Sequence, residues 1–260
     1  MKIILAIAGS DSCGGAGIQA DIKTITGLGA HALTVITALT AQNSQGISDV
    51  YPVPERFIAR QLNAVLDDVS PHGVKIGMLY SKGAVKAVVD FLRCRRPPNV
   101  VLDPVARATT GRRLMDGHIL SLVRDELLPL VAVVTPNLGE AGLLSGKTVK
   151  NGDDMLEAGR RINAMGPAVI VTGGHLEDHC EDLLVDGKDI ARFAGPKIRT
   201  PNTHGSGCVF SSALATYLGG GKKLERAAKM AHEFARRAIE NGYECGKGPG
   251  PVGPGFVPTL

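Results

Sequence analysis

A chain of 260 residues, 44% hydrophobic and 21% charged, can bury one full α/β core and has the composition of a soluble globular protein. A net charge of +4 spread along the chain, 4% aromatics and no Trp argue against a nucleic-acid partner, which needs clustered basic residues or stacking platforms. Five cysteines, at 13, 94, 180, 208 and 245, are odd in number and scattered with no CxxC pair, which argues against a disulfide framework and for a reducing, cytoplasmic setting.

The N-terminal apolar run Ile3–Ala8 is too short to span a bilayer and lacks a cleavage pattern, so Lys2–Ala8 reads as a buried strand and no membrane partner is expected. It runs into the glycine-rich Gly9–Gly17 loop and a helix over Gly17–Leu28, with Asp21 in its first turn. Further strands are expected at Ala32–Ala38, Gly73–Ile76, Asn99–Leu102, Val131–Thr135 and Ala168–Thr172. Helical patterns at Pro54–Asp67, Ser81–Arg93, Leu114–Leu127 and Asp153–Met165 lie between them. The Arg93–Arg96 run, followed by Pro97-Pro98, reads as a solvated helix end, where positive charge is favourable. Past Thr172, Glu181–Val185 and Asp189–Ala194 flank Asp186-Gly187 as a hairpin. Helices over Gly205–Leu218 and Leu224–Tyr243 follow, then a Gly/Pro-rich tail from Gly246. The alternation predicts one α/β domain over 1–260, a mostly parallel sheet with helices on both faces.

In such a sheet ligands bind beyond the carboxyl ends of the strands. The Gly9–Gly17 loop carries neither the dinucleotide nor the P-loop fingerprint, yet its glycines admit a ligand close to the backbone; a plain tight turn is the alternative. Asp21 either binds substrate or favours the positive helix end. In Asn202–Cys208, residues Gly205, Ser206, Gly207 and Cys208 would offer consecutive N–H groups at a helix start, an anion hole for a phosphoryl group, or else a simple glycine cap. Asp103, Asn137 and Glu140 follow strands and are oxygen donors suited to Mg²⁺, directly or through water; singly, each is an ordinary cap or turn residue.

Together these segments resemble the hydroxymethylpyrimidine/phosphomethylpyrimidine kinases of thiamine synthesis. The likeness runs through Ala6–Asp21, Thr37–Asn43, Lys75–Leu79, Leu102–Val105, Thr135–Leu138, Gly173–His175, Asn202–Cys208 and Gly246–Val252. It implies a ribokinase-like fold, ATP and Mg²⁺ as cofactors, often a homodimer, and phosphorylation of 4-amino-5-hydroxymethyl-2-methylpyrimidine and then of its monophosphate. By the same resemblance Gly9, Asp21, Gln42, Met78 and Val105 line the pyrimidine pocket, with the Gln42 amide reading the ring and Met78 and Val105 as apolar walls. Asp103, Asn137, Glu140, Thr172, Ser206 and Lys247 would serve the nucleotide, with Asp103 and Glu140 toward the metal.

The chain departs from the family pattern at several points: Thr172 where Lys is common, Ser206 for Thr, Gly139 for Pro, and Ala106-Arg107 where Met often stands. Cys208 occupies the place where most ribokinase-like sugar kinases carry an Asp. With an unperturbed pKa near ~8.5 it would be only a few per cent thiolate at neutral pH, so it is expected to take the acceptor's proton late. A zinc reading of His175, His179, His204 and Cys208 fits no standard ligand spacing. The rival readings are a pyridoxal-type kinase and a non-catalytic nucleotide- or pyrimidine-binding protein, the latter motivated by Thr172.

Overall fold

Strand β1 (Ile3–Asp11) alternates its apolar side chains between two cores: Ile4, Ala6 and Ala8 enter one, Leu5 and Ile7 the other. A strand buried on both faces must be central, and β1 is paired in parallel on both sides. The structure is a computed structural model describing residues 1–174 and 180–255. In chain order the elements after β1 are α1 (Gly17–Gly27), β2 (His31–Asn43), β3 (Gly46–Pro52), α2 (Glu55–Leu66), β4 (Gly73–Ile76) and α3 (Lys82–Arg95). Then come β5 (Val100–Leu102), α4 (Gly117–Leu122), β6 (Val133–Val134), α5 (Leu138–Ser145), α6 (Gly152–Asn163) and β7 (Ala168–Val171). The chain closes with β8 (Cys180–Asp186), β9 (Asp189–Gly195), α7 (Ser206–Gly219) and α8 (Leu224–Glu240).

Among the described residues the strands form one sheet in the order β3-β2-β1-β4-β5-β6-β7-β8-β9. From β2 to β7 every pairing is parallel, and β3, β8 and β9 add antiparallel edges. Helices α2 to α6 cover one face, while α1, α7 and α8 cover the other. Chain order reverses between β1 and β4, the switch point where ligands bind in such sheets. No described helix is long and apolar enough to cross a membrane.

Most expected elements are present, with instructive shifts. The 114–127 helix begins only at Gly117, because the Asp116 carboxylate caps the Ile119 N–H at 2.8 Å, and it ends in a π turn and a 3₁₀ turn around Pro129. Strand β2 runs five residues past Ala38 and pairs with β3, a strand not expected from the sequence. Both are too polar there to show a two-sided apolar run, since this hairpin stands at the sheet edge. Helix α5 is a further addition to the expected elements, although Asn137 and Glu140 form a capping box at its start. The arginine run does close α3, with Arg95 on Asp67 at 2.6 Å and Arg96 as the left-handed cap.

Candidate active site

Helices α1 and α7 pack side by side on one face of the sheet and start at its carboxyl edge, so the two glycine loops that precede them meet. Gly205 has φ +85°, and a Cβ there would stand 1.9 Å from the Gly15 carbonyl oxygen. No side chain caps α7. The Ser206 N–H bonds to the Thr203 carbonyl, so the N–H groups that open the helix toward the sheet edge are those of Gly207 and Cys208.

The floor beneath this helix start is ionic. Lys75 of β4, fully buried, donates to Asp21 Oδ1 at 2.7 Å, and the Ser212 hydroxyl of α7 donates to the same oxygen at 2.8 Å. Burial works against the Lys75 ammonium, but Asp21, then Cys208 and Asp103, more than offset it and hold the lysine pKa above its ordinary value. Next to Ser212, Ser211 donates to Asp103 Oδ2 at 3.1 Å. Two consecutive serines thus pin α7 to α1 and to the end of β5.

Beside Asp103 stands Glu140. Its two oxygens accept the Ala106 and Asn137 N–H groups, each at 3.0 Å. Burial and the neighbouring Asp103 push Glu140 up to about 8, and burial also raises Asp103. The Cys208 thiol is pushed up to about 12, chiefly by burial, with Asp103 and Asp21 adding to it; Lys75 and the Gly17 N–H that faces the sulfur oppose the shift.

On the β1–β2 side, Asp11 accepts N–H groups from Cys13, Gly15 and Ala16, and its Oδ2 lies 2.9 Å from His204 Nε2. Burial would raise Asp11, but His204 and the loop N–H groups outweigh it and hold the carboxyl below its ordinary value. The other ring nitrogen of His204, Nδ1, lies 3.3 Å from the Thr109 hydroxyl. The Gln42 amide nitrogen lies 3.3 Å from His204 Nε2, and its oxygen accepts from Thr40 at 3.2 Å. Nearby, Ala38, Val50, Met78 and Leu114 form a small apolar cluster of their own, with Val105 packed against it.

The sequence pattern described as phosphomethylpyrimidine kinase matches residues 11–253. The chain belongs to this family. The thiamine biosynthesis bifunctional protein ThiED of Geobacter sulfurreducens is 44% identical over 96% of the chain. The hydroxymethylpyrimidine/phosphomethylpyrimidine kinase of Streptomyces coelicolor is 40% identical over 98% of this chain and 95% of its own length. The chain spans about half the length of the Geobacter sulfurreducens relative, 51%, and 46% of the probable thiamine biosynthetic bifunctional enzyme of Oryza sativa subsp. japonica, to which it is 41% identical. Among solved structures, an ADP complex of Bacillus subtilis pyridoxal kinase superposes with a TM-score of 0.90 at 35% identity, covering 97% of both chains. The fold is ribokinase-like.

The kinase family's site residues, as expected from sequence, fall into separate groups here. Gly9, Met78 and Val105 gather round the Ala38 cluster, with a Cβ on Gly9 only 2.3 Å from Met78 Cε, while Gln42 stands at the end of β2 against Thr40, Ser12 and His204. Asp103, Glu140, Gly205, Ser206, Gly207 and Cys208 meet at the start of α7, and Asn137 pairs with Thr172 just past β6 and β7. The Asn137 side-chain oxygen accepts the Glu140 N–H as the α5 cap.

Two expectations, on Asp21 and Cys208, are corrected, and Lys247 is placed on the tail. Asp21 is not in the first turn of α1 and does not line the pocket: it lies a turn deeper, without exposure, as the counter-ion of Lys75. Lys247 is exposed on a tail segment that packs on Ser44, Gly248 N donating to Ser44 Oγ at 3.1 Å. Ser44 directly follows β2, so this part of the tail lies at the end of that strand. Cys208, with its raised pKa, is thiol and not a few per cent thiolate at neutral pH.

Asp11, His204, Lys75, Ser211 and Ser212 join the site without having been expected there from sequence. The signals available were an Asp inside a glycine loop and a Lys inside an apolar strand. His175 and His179 lie outside the described residues, and no group of three or more His, Cys, Asp or Glu suited to a metal occurs among the described ones.

Proposed function

We propose that the chain, as a single kinase domain over residues 1–260, transfers the γ-phosphate of ATP to the hydroxymethyl group of 4-amino-5-hydroxymethyl-2-methylpyrimidine. It then phosphorylates the resulting monophosphate, in thiamine biosynthesis. The observation that carries this reading is the closure of the Gly205 turn on Gly15. It sets an uncapped helix start between the Gln42 corner and the Asp103–Glu140 pair. The acceptor ring sits against Met78 and Val105, with the Gln42 amide on its polar edge. The Gly207 and Cys208 N–H groups receive the charge that spreads over the phosphoryl group in transfer. The nucleotide lies toward Asn137 and Thr172, and ADP in the Bacillus subtilis pyridoxal kinase supports a nucleotide on this fold.

Mg²⁺ fits the donor set. Asp103 and Glu140 are adjacent buried carboxylates, both with raised pKa values, and the nearby cation Lys75 is paired with Asp21. Asp103 would hold the ion, and Glu140, whose oxygens already take two N–H groups, would act through water; the ion would neutralise phosphate charge. Cys208 stays a thiol until late in transfer, so positioning and electrostatics carry the rate. Cys208→Ser and Cys208→Ala turnover at saturating substrates tests this: near-wild-type rates remove Cys208 from proton transfer.

We further propose a cytoplasmic homodimer. Coupled assays with the hydroxymethylpyrimidine and its monophosphate test the main reading; ADP release that does not depend on either refutes it. A pyridoxine-type acceptor is the second reading, favoured by the likeness to Bacillus subtilis pyridoxal kinase. Comparing kcat/KM for the two acceptors decides between them.

A further inference from the structure

We infer that Asp182 and His232 form a buried positioning pair that anchors the Gly173 N–H beyond strand β7 and thereby sets affinity for the nucleotide. This rests on the nucleotide reading of the β7 exit given above.

Strand β7 pairs with β8 through Val169, Ile170 and Val171. Beyond Val171 the ladder stops, yet the chain stays fixed: Thr172 N donates to the Pro136 carbonyl at 2.9 Å, and Thr172 bridges to Asn137. The next donor, Gly173 N, goes to the Asp182 side chain, Oδ1, at 3.0 Å. Asp182 therefore extends the tether of β7 to Gly173 with a carboxylate instead of a backbone carbonyl. That extension holds the strand end at the sheet edge shared with Asp103 and Glu140.

Asp182 is only 5% exposed, and a buried carboxylate is costly unless its oxygens are satisfied. The second oxygen is satisfied by His232 of α8, with Nδ1 2.7 Å from Oδ2. The imidazole is also 5% exposed and, among the described residues, its Nε2 has no partner, so the one hydrogen bond it makes there is to Asp182. An apolar residue at each position would pack β8 against α8 without this desolvation. What the polar pair adds is a second hold on the Thr172-Gly173 segment, on the β8 side, opposite the bond to Pro136. His232 touches no substrate in this reading; it acts through Asp182.

The test uses two substitutions of like size. His232→Asn keeps an N–H where Nδ1 stands, whereas His232→Gln moves it to the Nε2 position. We expect His232→Gln to raise the Kd for ADP, measured by calorimetry, and the KM for ATP by about tenfold. Its kcat and acceptor KM should stay within about twofold, and His232→Asn within about threefold of wild type throughout. A purely structural role would lower Tm in both variants without splitting the two KM values. Equal behaviour of the two variants, an unchanged ADP Kd in folded His232→Gln, or a shift in acceptor KM alone would overturn the inference. If the wild-type enzyme binds ADP but phosphorylates neither acceptor, the proposed reaction falls and the ADP affinities still decide this inference. Failure of the wild type to bind ADP removes both.

Discussion

Replacing Gly205 by Ala attacks the contact on which the site is built. The residue has φ +85°, a left-handed conformation that costs a non-glycine residue about 1–2 kcal/mol. The added Cβ would also lie 1.9 Å from the Gly15 oxygen and 2.9 Å from its carbon. Carbon approaches a carbonyl oxygen to about 3.3 Å, so the two glycine loops must part by roughly 1.4 Å. A displacement of that size at reacting groups costs about 100-fold in rate. Gly146, the left-handed cap of α5, has φ +71° and nothing within 4 Å of an added methyl, so it isolates the conformational cost alone. Gly146→Ala should lower Tm by about 2–4 °C per kcal/mol and leave kinetics untouched. Gly205→Ala should lose about 100-fold in kcat/KM as well. Steady-state kinetics and thermal melts of both variants read the difference; if Gly205→Ala behaves like Gly146→Ala, the reasoning from loop contact is wrong.

Three further outcomes follow from the buried charges. Lys75→Met strands Asp21 without exposure and should cost about 3–5 kcal/mol in urea unfolding. Lys75→Met with Asp21→Asn should recover most of that, and a double variant no better than the single would refute the ion pair's role. With its pKa near 12, Cys208 should alkylate far more slowly at pH 7 than exposed Cys94, as read by peptide mass mapping; comparable rates would contradict the buried thiol. Glu140 has a folded pKa of about 8, above its ordinary 4.5, so the native state binds the extra proton and stability falls as pH rises between those values. Glu140→Gln should flatten that fall, and parallel stability curves from pH 5 to 8 would refute it.

Local sequence was enough for the layered sheet, the two glycine-rich loops and the family. Apolar runs such as Val100–Leu102 and glycine-rich helix starts are signals that keep their meaning wherever the chain goes. Asp103 was legible as an edge residue for the same reason, since it directly follows the buried β5, and Asn137 and Glu140 carry the spacing of a capping box three residues past β6. What each charge does emerges only on folding. Asp21 and Lys75 are 54 residues apart, and nothing local says that one neutralises the other beneath Cys208. Likewise Asp11 meets His204 across 193 residues, and Lys247 reaches the β2 end because its neighbours fit against Ser44. Electrostatic roles depend on distance and burial, and these are properties of the folded neighbourhood rather than of any segment.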